Sequence, residues 1–111
     1  MLEVEEVVTA AKEVNLANLG GQPQFRFPDG TFELYWLNVD STNRYENEPW
    51  SDYVHRSAKE VRSAFQKLIA ETNFVAEAQQ SSFLIEKLSR GEDILSHLYF
   101  VLYFEEEKTQ S

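Results

Sequence analysis

Apolar and polar positions recur with different periods along the chain, and these periods predict its main elements. In residues 2–18 the apolar positions partly follow a period of about 3.6 residues, which predicts a helix. Glu3, Glu5 and Glu6 suit the positive N-terminal end of such a helix. The sequence Asn-Leu-Gly-Gly at 18–21 is then expected to stop it, because glycine accepts the left-handed conformation of a helix end.

A β-hairpin is predicted over residues 24–39. Phe25 and Phe27 alternate with polar residues, and the Pro-Asp-Gly sequence that follows predicts a turn at Asp29–Gly30. Both faces of the second strand carry apolar residues, which favours a central strand or one covered on both sides.

The clearest helical pattern runs over residues 50–72. Its apolar residues recur at alternating steps of four and three, which predicts one buried stripe made of Val54, Ala58, Val61, Phe65 and Leu68. Pro49 opens this helix, and either Glu48 or Ser51 is a candidate cap. Asn73 is expected to end it in a left-handed conformation.

The last third of the chain permits more than one interpretation. Residues 73–80 favour a strand, whereas residues 81–91 fit a short helix with serine caps, although their alternation also permits a strand. The aromatic segment 97–105 predicts a buried strand, and a helix beginning at Glu92 is its rival. Residues 106–111 are expected to form a disordered, solvated tail.

These elements predict a single α+β domain over residues 1–111. A small antiparallel sheet, made of the hairpin 24–39 and the strand 97–105, is expected to pack against the helices 2–18 and 50–72. The apolar fraction of 42%, with 2 Trp, 5 Tyr and 8 Phe, supports a hydrophobic core and argues against intrinsic disorder.

Cysteine content and hydropathy predict a cytoplasmic chain. The sequence contains no cysteine, so it has no disulfide and no thiolate nucleophile or ligand. No run approaches the roughly 18 apolar residues of a membrane span. The acidic N-terminal residues differ from the positive first region of a secretory signal. We therefore expect no membrane association.

The charge balance narrows the partners. Nineteen acidic residues against ten basic ones give a net charge of −9, which opposes direct binding to DNA or RNA. Several basic residues on the predicted helix are interspersed with acids and indicate a solvated face of mixed charge; they are Arg56, Lys59, Arg62 and Lys67. A basic protein is the expected partner, and a homo-oligomer is possible.

Motifs for catalysis or cofactor binding are not found in the sequence. It has neither a phosphate-binding glycine loop nor the G-x-S-x-G motif of a nucleophilic serine. Asp52 and His55, like Asp93 and His97, have the spacing of two ligands on one helix, but a metal site needs more ligands. We therefore predict no catalytic set, no metal and no cofactor.

The stretch "RYENEPWSDY" at 44–53 combines three acids with three aromatic residues. One interpretation is structural, because acids near a helix N-terminus and rings closing over a core explain both. The other is functional, because tyrosine and tryptophan are favoured interface anchors and acids steer a basic partner. The predicted partner-binding residues are Tyr45, Glu46, Glu48, Trp50, Asp52 and Tyr53.

Three functions are compatible with this pattern. The first is a small acidic inhibitor or escort of a basic protein, for example one that binds nucleic acid, of the antitoxin, immunity-protein or phage-inhibitor kind. The second is a structural or assembly subunit that pairs with its own copies through the strands 32–39 and 98–104. The third is an enzyme with an unrecognised site. No motif in the sequence indicates a family.

Overall fold

A computed structural model describes the backbone of residues 2–108 and the side chains of residues 4–108. Within this range an antiparallel sheet packs on one face against helices, so the predicted α+β class is confirmed. The elements, in chain order, are α1 (Leu2–Glu13), β1 (Ala17–Phe27), β2 (Gly30–Glu33), a 3₁₀ turn (Tyr35–Leu37), β3 (Val39–Asp40), α2 (Trp50–Glu71), α3 (Phe74–Ala78), α4 (Ser82–Ser89), a second 3₁₀ turn (Ile94–His97) and β4 (Leu98–Glu105).

Strand β1 is the centre of the sheet. It pairs with β4 from Ala17 to Phe25, with β3 at residues 20–21 and with β2 at residues 24–27, so both of the latter pairings overlap the stretch that pairs with β4. Because a strand has two edges, β2 and β3 must share the edge of β1 opposite β4. The sheet therefore has one interrupted edge, β2–β3, and one continuous edge, β4.

The predicted helix 2–18 is too long, because α1 ends at Glu13. Asn15 adopts a left-handed φ of 66°, and the Leu16 amide donates to the Ala11 carbonyl at 2.9 Å. This is the hydrogen bond of a helix end closed by a left-handed residue. Asn15 therefore stops the helix, and the chain enters the sheet two residues later.

The paired glycines, predicted as a helix stop, lie within β1. Gly20 has φ 134°, and a side chain there would overlap the main chain of Val39. A side chain at Gly21 would overlap the Val101 carbonyl on the other side of the strand. The glycines therefore serve the close approach of three strands, next to an irregularity in the β1–β4 register at Leu19.

The predicted hairpin is present, but its turn lies one residue earlier than expected. Phe27 pairs with Gly30, so Pro28 and Asp29 are the central residues. The ammonium group of Lys87 on α4 lies 3.0 Å and 3.1 Å from the two Asp29 carboxylate oxygens. This ion pair attaches the turn to the helical layer and lowers the pKa of Asp29.

The second strand of the hairpin is neither continuous nor central. It breaks after Glu33 into the 3₁₀ turn, which the alternating pattern did not predict. The Leu34 amide still donates to the Pro23 carbonyl at 3.0 Å. Trp36 leaves the sheet plane, and its indole N–H donates to the Glu77 carboxylate of α3 at 2.8 Å. The break therefore ties the edge of the sheet to α3.

Helix α2 lies within one residue of its predicted bounds. Four of the five predicted stripe residues are buried, whereas Leu68 is partly buried between two clusters. Neither Glu48 nor Ser51 caps the helix: Pro49 occupies the capping position, with no side-chain hydrogen bond. Asn73 does not end it either, since its φ is −92° and its side chain caps α3.

The last third contains two short helices followed by one strand. Residues 73–80 were predicted as a strand, but Asn73 accepts from the Ala76 amide and starts α3. The predicted helix within 81–91 is confirmed as α4, capped by the Ser81 side chain. The predicted C-terminal strand is confirmed as β4, but its side chains are half-buried or exposed rather than buried. The rival helix from Glu92 reduces to a 3₁₀ turn.

Three buried clusters hold the helices on one face of the sheet. One lies under α3 and α4 around Phe25 and Leu84, and one lies between α1 and α2 around Val61 and Phe65. The third joins the start of β1 to the first turns of α2 through Ala17, Trp50, Tyr53 and Val54. Such one-sided packing is what a half-buried antiparallel sheet needs.

The ends of the chain bear on two expectations. Residues 106–108 are exposed and have no regular structure, and residues 109–111 of the predicted tail lie outside the described residues. Among the described residues, no helix combines the length and apolar character needed to cross a membrane.

Candidate functional site

The stretch 44–53 folds around one arginine that belongs to α2. Arg56 grips the Glu48 carboxylate with two parallel hydrogen bonds of 2.8 Å, from Nε and from Nη2. This two-pronged geometry is the strongest form of an arginine–carboxylate pair. It attaches the end of the loop 41–49 to the second turn of α2.

The remaining N–H groups of Arg56 hold the start of the same loop. Nη1 donates to the Glu60 carboxylate at 2.6 Å and to the Thr42 carbonyl at 3.1 Å, and Nη2 donates to the Asn43 carbonyl at 3.2 Å. Glu60 in turn accepts from the Thr42 amide at 2.8 Å. A guanidinium group has five N–H donors, so all of its donors are used in fixing the loop.

The aromatic residues of the stretch surround this arginine. Its guanidinium carbon lies 4.2 Å from the ring centre of Tyr45 and 5.2 Å from that of Tyr53. Trp50 packs edge-to-face on Tyr53 at 5.4 Å, and its indole N–H donates to the Asn15 carbonyl at 2.9 Å. Cation–π contacts therefore connect the exposed tyrosine of the loop to the buried aromatic cluster.

The electrostatics of the cluster follow from these contacts. Hydrogen bonds from Arg56 lower the pKa of Glu48 from its ordinary value of 4.5 to about 2. The same pairing raises the pKa of Arg56. Burial of Glu60 raises its pKa, but hydrogen bonds from the Thr42 amide and from Arg56 outweigh burial and leave the pKa lowered. The three groups stay charged at neutral pH.

The structure divides the six predicted binding residues into two groups. Tyr45, Glu46 and Asp52 are exposed on the surface. The other three are engaged in the fold: the Glu48 side chain is 9% exposed, and Trp50 and Tyr53 are buried. The sequence interpretation missed Arg56, which it assigned to a solvated face, although the spacing to Glu60 is that of an ion pair on a helix.

A groove of about 570 Å³ opens beside the cluster. It lies between the loop, the first turn of α2 and the end of β4, and Trp50 and Tyr53 line it together with Arg44 and Glu105. Beyond β4 the chain continues with the exposed Glu106 and Glu107. These two acids do not line the groove, whereas Lys108 does, so the charged lining of the groove is mixed: Arg44 and Lys108 against Glu105.

The two histidine–acid pairs lie on different elements, one on α2 and the other at the second 3₁₀ turn. His97 stacks on Phe27 at 4.2 Å, and its Nδ1 lies 2.9 Å from the Arg26 carbonyl oxygen. Because a carbonyl oxygen only accepts, this nitrogen carries the proton. His55 is exposed on α2. Within residues 4–108, no group of three or more acids and histidines is arranged to hold a metal ion.

Fold and site together define a small α+β protein with an arginine-fixed loop beside an aromatic groove. Comparison of the chain with models of protein families, with curated proteins and with solved structures found no match. The contacts, charges and shape of the chain itself are therefore the basis on which its function can be inferred.

Proposed function

We propose that the chain is a protein-binding module that inhibits or escorts a basic protein, and that it has no catalytic role. Of the six residues that the sequence singles out, Tyr45, Glu46 and Asp52 form the exposed contact surface. Trp50 and Tyr53 line the adjacent groove, and Glu48 holds the loop in place. The observation that carries the proposal is the loop 41–49: Arg56 fixes its shape, and the loop presents Tyr45, 54% exposed, beside an aromatic groove.

The rigidity of the loop supports a binding role. A loop that is ordered before it meets its partner loses little conformational entropy on binding. Arg56 donates its hydrogen bonds to Glu48, Glu60 and two main-chain carbonyls, so the loop is ordered before a partner binds. Tyr45 then offers a large aromatic surface whose ring is already positioned by the guanidinium.

The distribution of charge supports a basic partner. Glu46 and Asp52 are exposed in or next to the loop, and the structure gives their carboxylates no hydrogen bond among the described residues. The net charge of −9 steers positively charged surfaces toward the chain and repels nucleic acid. The partner is therefore a basic protein, such as one whose own ligand is nucleic acid.

The proposed location is cytoplasmic, without membrane attachment. The absence of cysteine suits a reducing compartment. The same absence leaves the module independent of redox conditions.

Charge reversal at the exposed acids tests the proposal. The immobilised chain is first used to isolate its partner from the cells in which it occurs, and binding of the purified partner is then measured. The Glu46→Lys, Asp52→Lys variant is expected to associate on the order of ten times more slowly, because these acids act on encounter. Raising the ionic strength is expected to reduce the difference in association rate between this variant and the wild type.

A matched control carries the same change in net charge. Glu71 and Glu86 are exposed on α2 and α4, away from the loop, and both are replaced by lysine. Glu48 is left intact in both variants, since its replacement would release Arg56. If the two variants associate with the partner equally slowly, the overall charge is responsible and the proposed surface is not the binding site. Unchanged binding by the Glu46→Lys, Asp52→Lys variant would also reject this surface as the site.

A second candidate function, assembly with further copies of the chain, is favoured by β4. Among the described residues this strand pairs only with β1, so its other edge offers unpaired main-chain groups. Residues 98–104 carry no charge and no proline, the usual protections of an edge strand. Tyr99 and Tyr103 are 36% and 47% exposed on the face that the helices leave open.

A further inference from the structure

A second groove lies between α1 and α2, on a different part of the surface from the loop 41–49. Val8 and Ala58 form its buried floor, and its volume is about 240 Å³. Thr9 and Lys12 line it from α1, and His55, Lys59 and Arg62 line it from α2. Most of the polar groups on this rim are hydrogen-bond donors or cations.

Three of the ten basic residues of the chain meet in this groove. In the part of the chain whose side chains the structure describes, Lys12, Lys59 and Arg62 make no ion pair within 4.0 Å, whereas Arg56, Lys87 and Arg90 do. A chain with 19 acids has ample carboxylates for pairing. Among the described residues, seven of the ten lysines and arginines make no such ion pair, and three of these seven line this one groove.

We propose that this groove binds a compact phosphate-bearing anion. Arginine matches two phosphate oxygens at once with its planar fork, and lysine supplies a point charge. The Thr9 hydroxyl and the His55 ring add further polar contacts at the rim. The sequence interpretation missed the site because one of its cations, Lys12, comes from a helix distant in sequence.

The surroundings of the groove set the size of the ligand. Its volume lies below the roughly 300–1,000 Å³ of pockets for drug-sized molecules. Acids stand at both ends: Asp52 one turn before His55 on α2, and Glu5, which accepts from Gln66 at 2.8 Å. An extended polyanion would meet these carboxylates, whereas a small phosphorylated molecule would contact the cations alone. Nucleic acid is therefore not the expected ligand.

Titration with inorganic pyrophosphate tests the site. Amide signals of the ¹⁵N-labelled chain are followed at constant ionic strength, with sodium chloride as the reference. We expect saturable shifts confined to residues 8–12 and 55–62. The Lys59→Gln, Arg62→Gln variant is expected to bind pyrophosphate at least about tenfold more weakly than the wild type, because each charge-assisted hydrogen bond contributes substantially to affinity.

The control removes two charges elsewhere. Lys67 and Lys108 are exposed and do not line this groove, so the Lys67→Gln, Lys108→Gln variant is expected to bind pyrophosphate within about twofold of the wild type. An equal loss of pyrophosphate affinity in both variants would mean diffuse charge attraction rather than a site. Amide shifts spread over the whole surface, or no shifts at millimolar pyrophosphate, would also overturn the proposed site. These residues differ from those tested for partner binding, so either proposal can fail alone.

Discussion

A single side chain, Arg56, explains why acids and aromatic rings occur together in residues 44–53. Its guanidinium group needs carboxylates for its hydrogen bonds and accepts rings against its faces, and the stretch supplies both. Glu48 and Tyr53 serve this arginine, whereas Glu46 remains at the surface without a described partner. The composition of the stretch therefore has a structural component and leaves a smaller set of groups for binding.

The lowered pKa of Glu48 predicts a pH dependence of stability. A carboxyl group whose pKa falls on folding stabilises the fold above its unfolded pKa, and this contribution is lost as the pH falls. For Glu48 the loss spans the range from about 4.5 down to about 2. The wild type is therefore expected to be more stable than Glu48→Gln at neutral pH, and the difference should shrink through this range.

Denaturant melts of the two proteins at pH 7 and near pH 2.5 measure this difference. Glu46→Gln is the control, because it removes an exposed carboxylate with no hydrogen bond in the described structure. It is expected to match the wild type at both pH values. If the free energies of unfolding of Glu48→Gln and the wild type differ by the same amount at both pH values, the ion pair with Arg56 does not stabilise the fold.

Among the elements, α2 carries the packing between the two helical regions. The Phe65 ring is fully buried, and it packs edge-to-face on Phe100 of β4 at 5.4 Å. Phe65→Ala is expected to lower the free energy of unfolding by about 3–5 kcal/mol through the cavity it leaves. Against a total of about 5–15 kcal/mol, this loss is easily measured.

Ile85→Ala on α4 is the matched comparison. Ile85 is 44% exposed, so its truncation removes less buried surface and leaves no closed cavity. We expect a loss of at most about 1 kcal/mol in denaturant melts. Equal losses for the two variants would contradict the position of Phe65 in the core.

The elements that could be predicted from the sequence are those whose signals repeat. Helix α2 repeats its apolar stripe over several turns, and β4 is a continuous aromatic segment of strand length. The ends and breaks depended on single residues. Gly20 and Gly21 give the same signal at a helix end as in a crowded strand, and only the neighbouring strands distinguish the two.

The candidate site was predictable only in part, for a related reason. A local excess of acids and rings identified the stretch 44–53, but the partner of those groups, Arg56, was hidden among the mixed charges of α2. The groove between α1 and α2 was even harder to predict from the sequence, because Lys12 is 47 residues from Lys59 in the chain. Pairing of distant helices is a property of the fold rather than of a local pattern.

At the scale of the whole molecule, the shape is elongated. The radius of gyration is 16.3 Å, whereas a compact domain of 100 residues has about 13 Å. A long axis of 54 Å gives the chain a large surface for its mass. Self-association through the continuous edge would bury part of that surface.

A substitution on β4 tests this self-association. If the β4 strands of two chains pair across a two-fold axis, sedimentation of the wild type should give a mass twice that of the 12.9 kDa chain. Val101→Lys places a charge on the open face of that edge and is expected to yield single chains. Thr31→Lys, on the other edge of the sheet, should leave the assembly intact. A wild type of single-chain mass at high concentration, or pairing that survives Val101→Lys, would exclude this mode.

The way Arg56 holds the loop makes the loop a replaceable part. The arginine reaches Thr42 and Asn43 through their carbonyl oxygens, which every residue has, and not through their side chains. New side chains at these positions, and at Glu46, would therefore be presented on the same backbone curve. The chain offers a scaffold for libraries in which residues 42, 43 and 46 are randomised. Arg44 and Asn47 are kept together with Glu48, Arg56 and Glu60, because the Arg44 side chain donates to the Glu48 carbonyl and Asn47 has a left-handed φ of 66°.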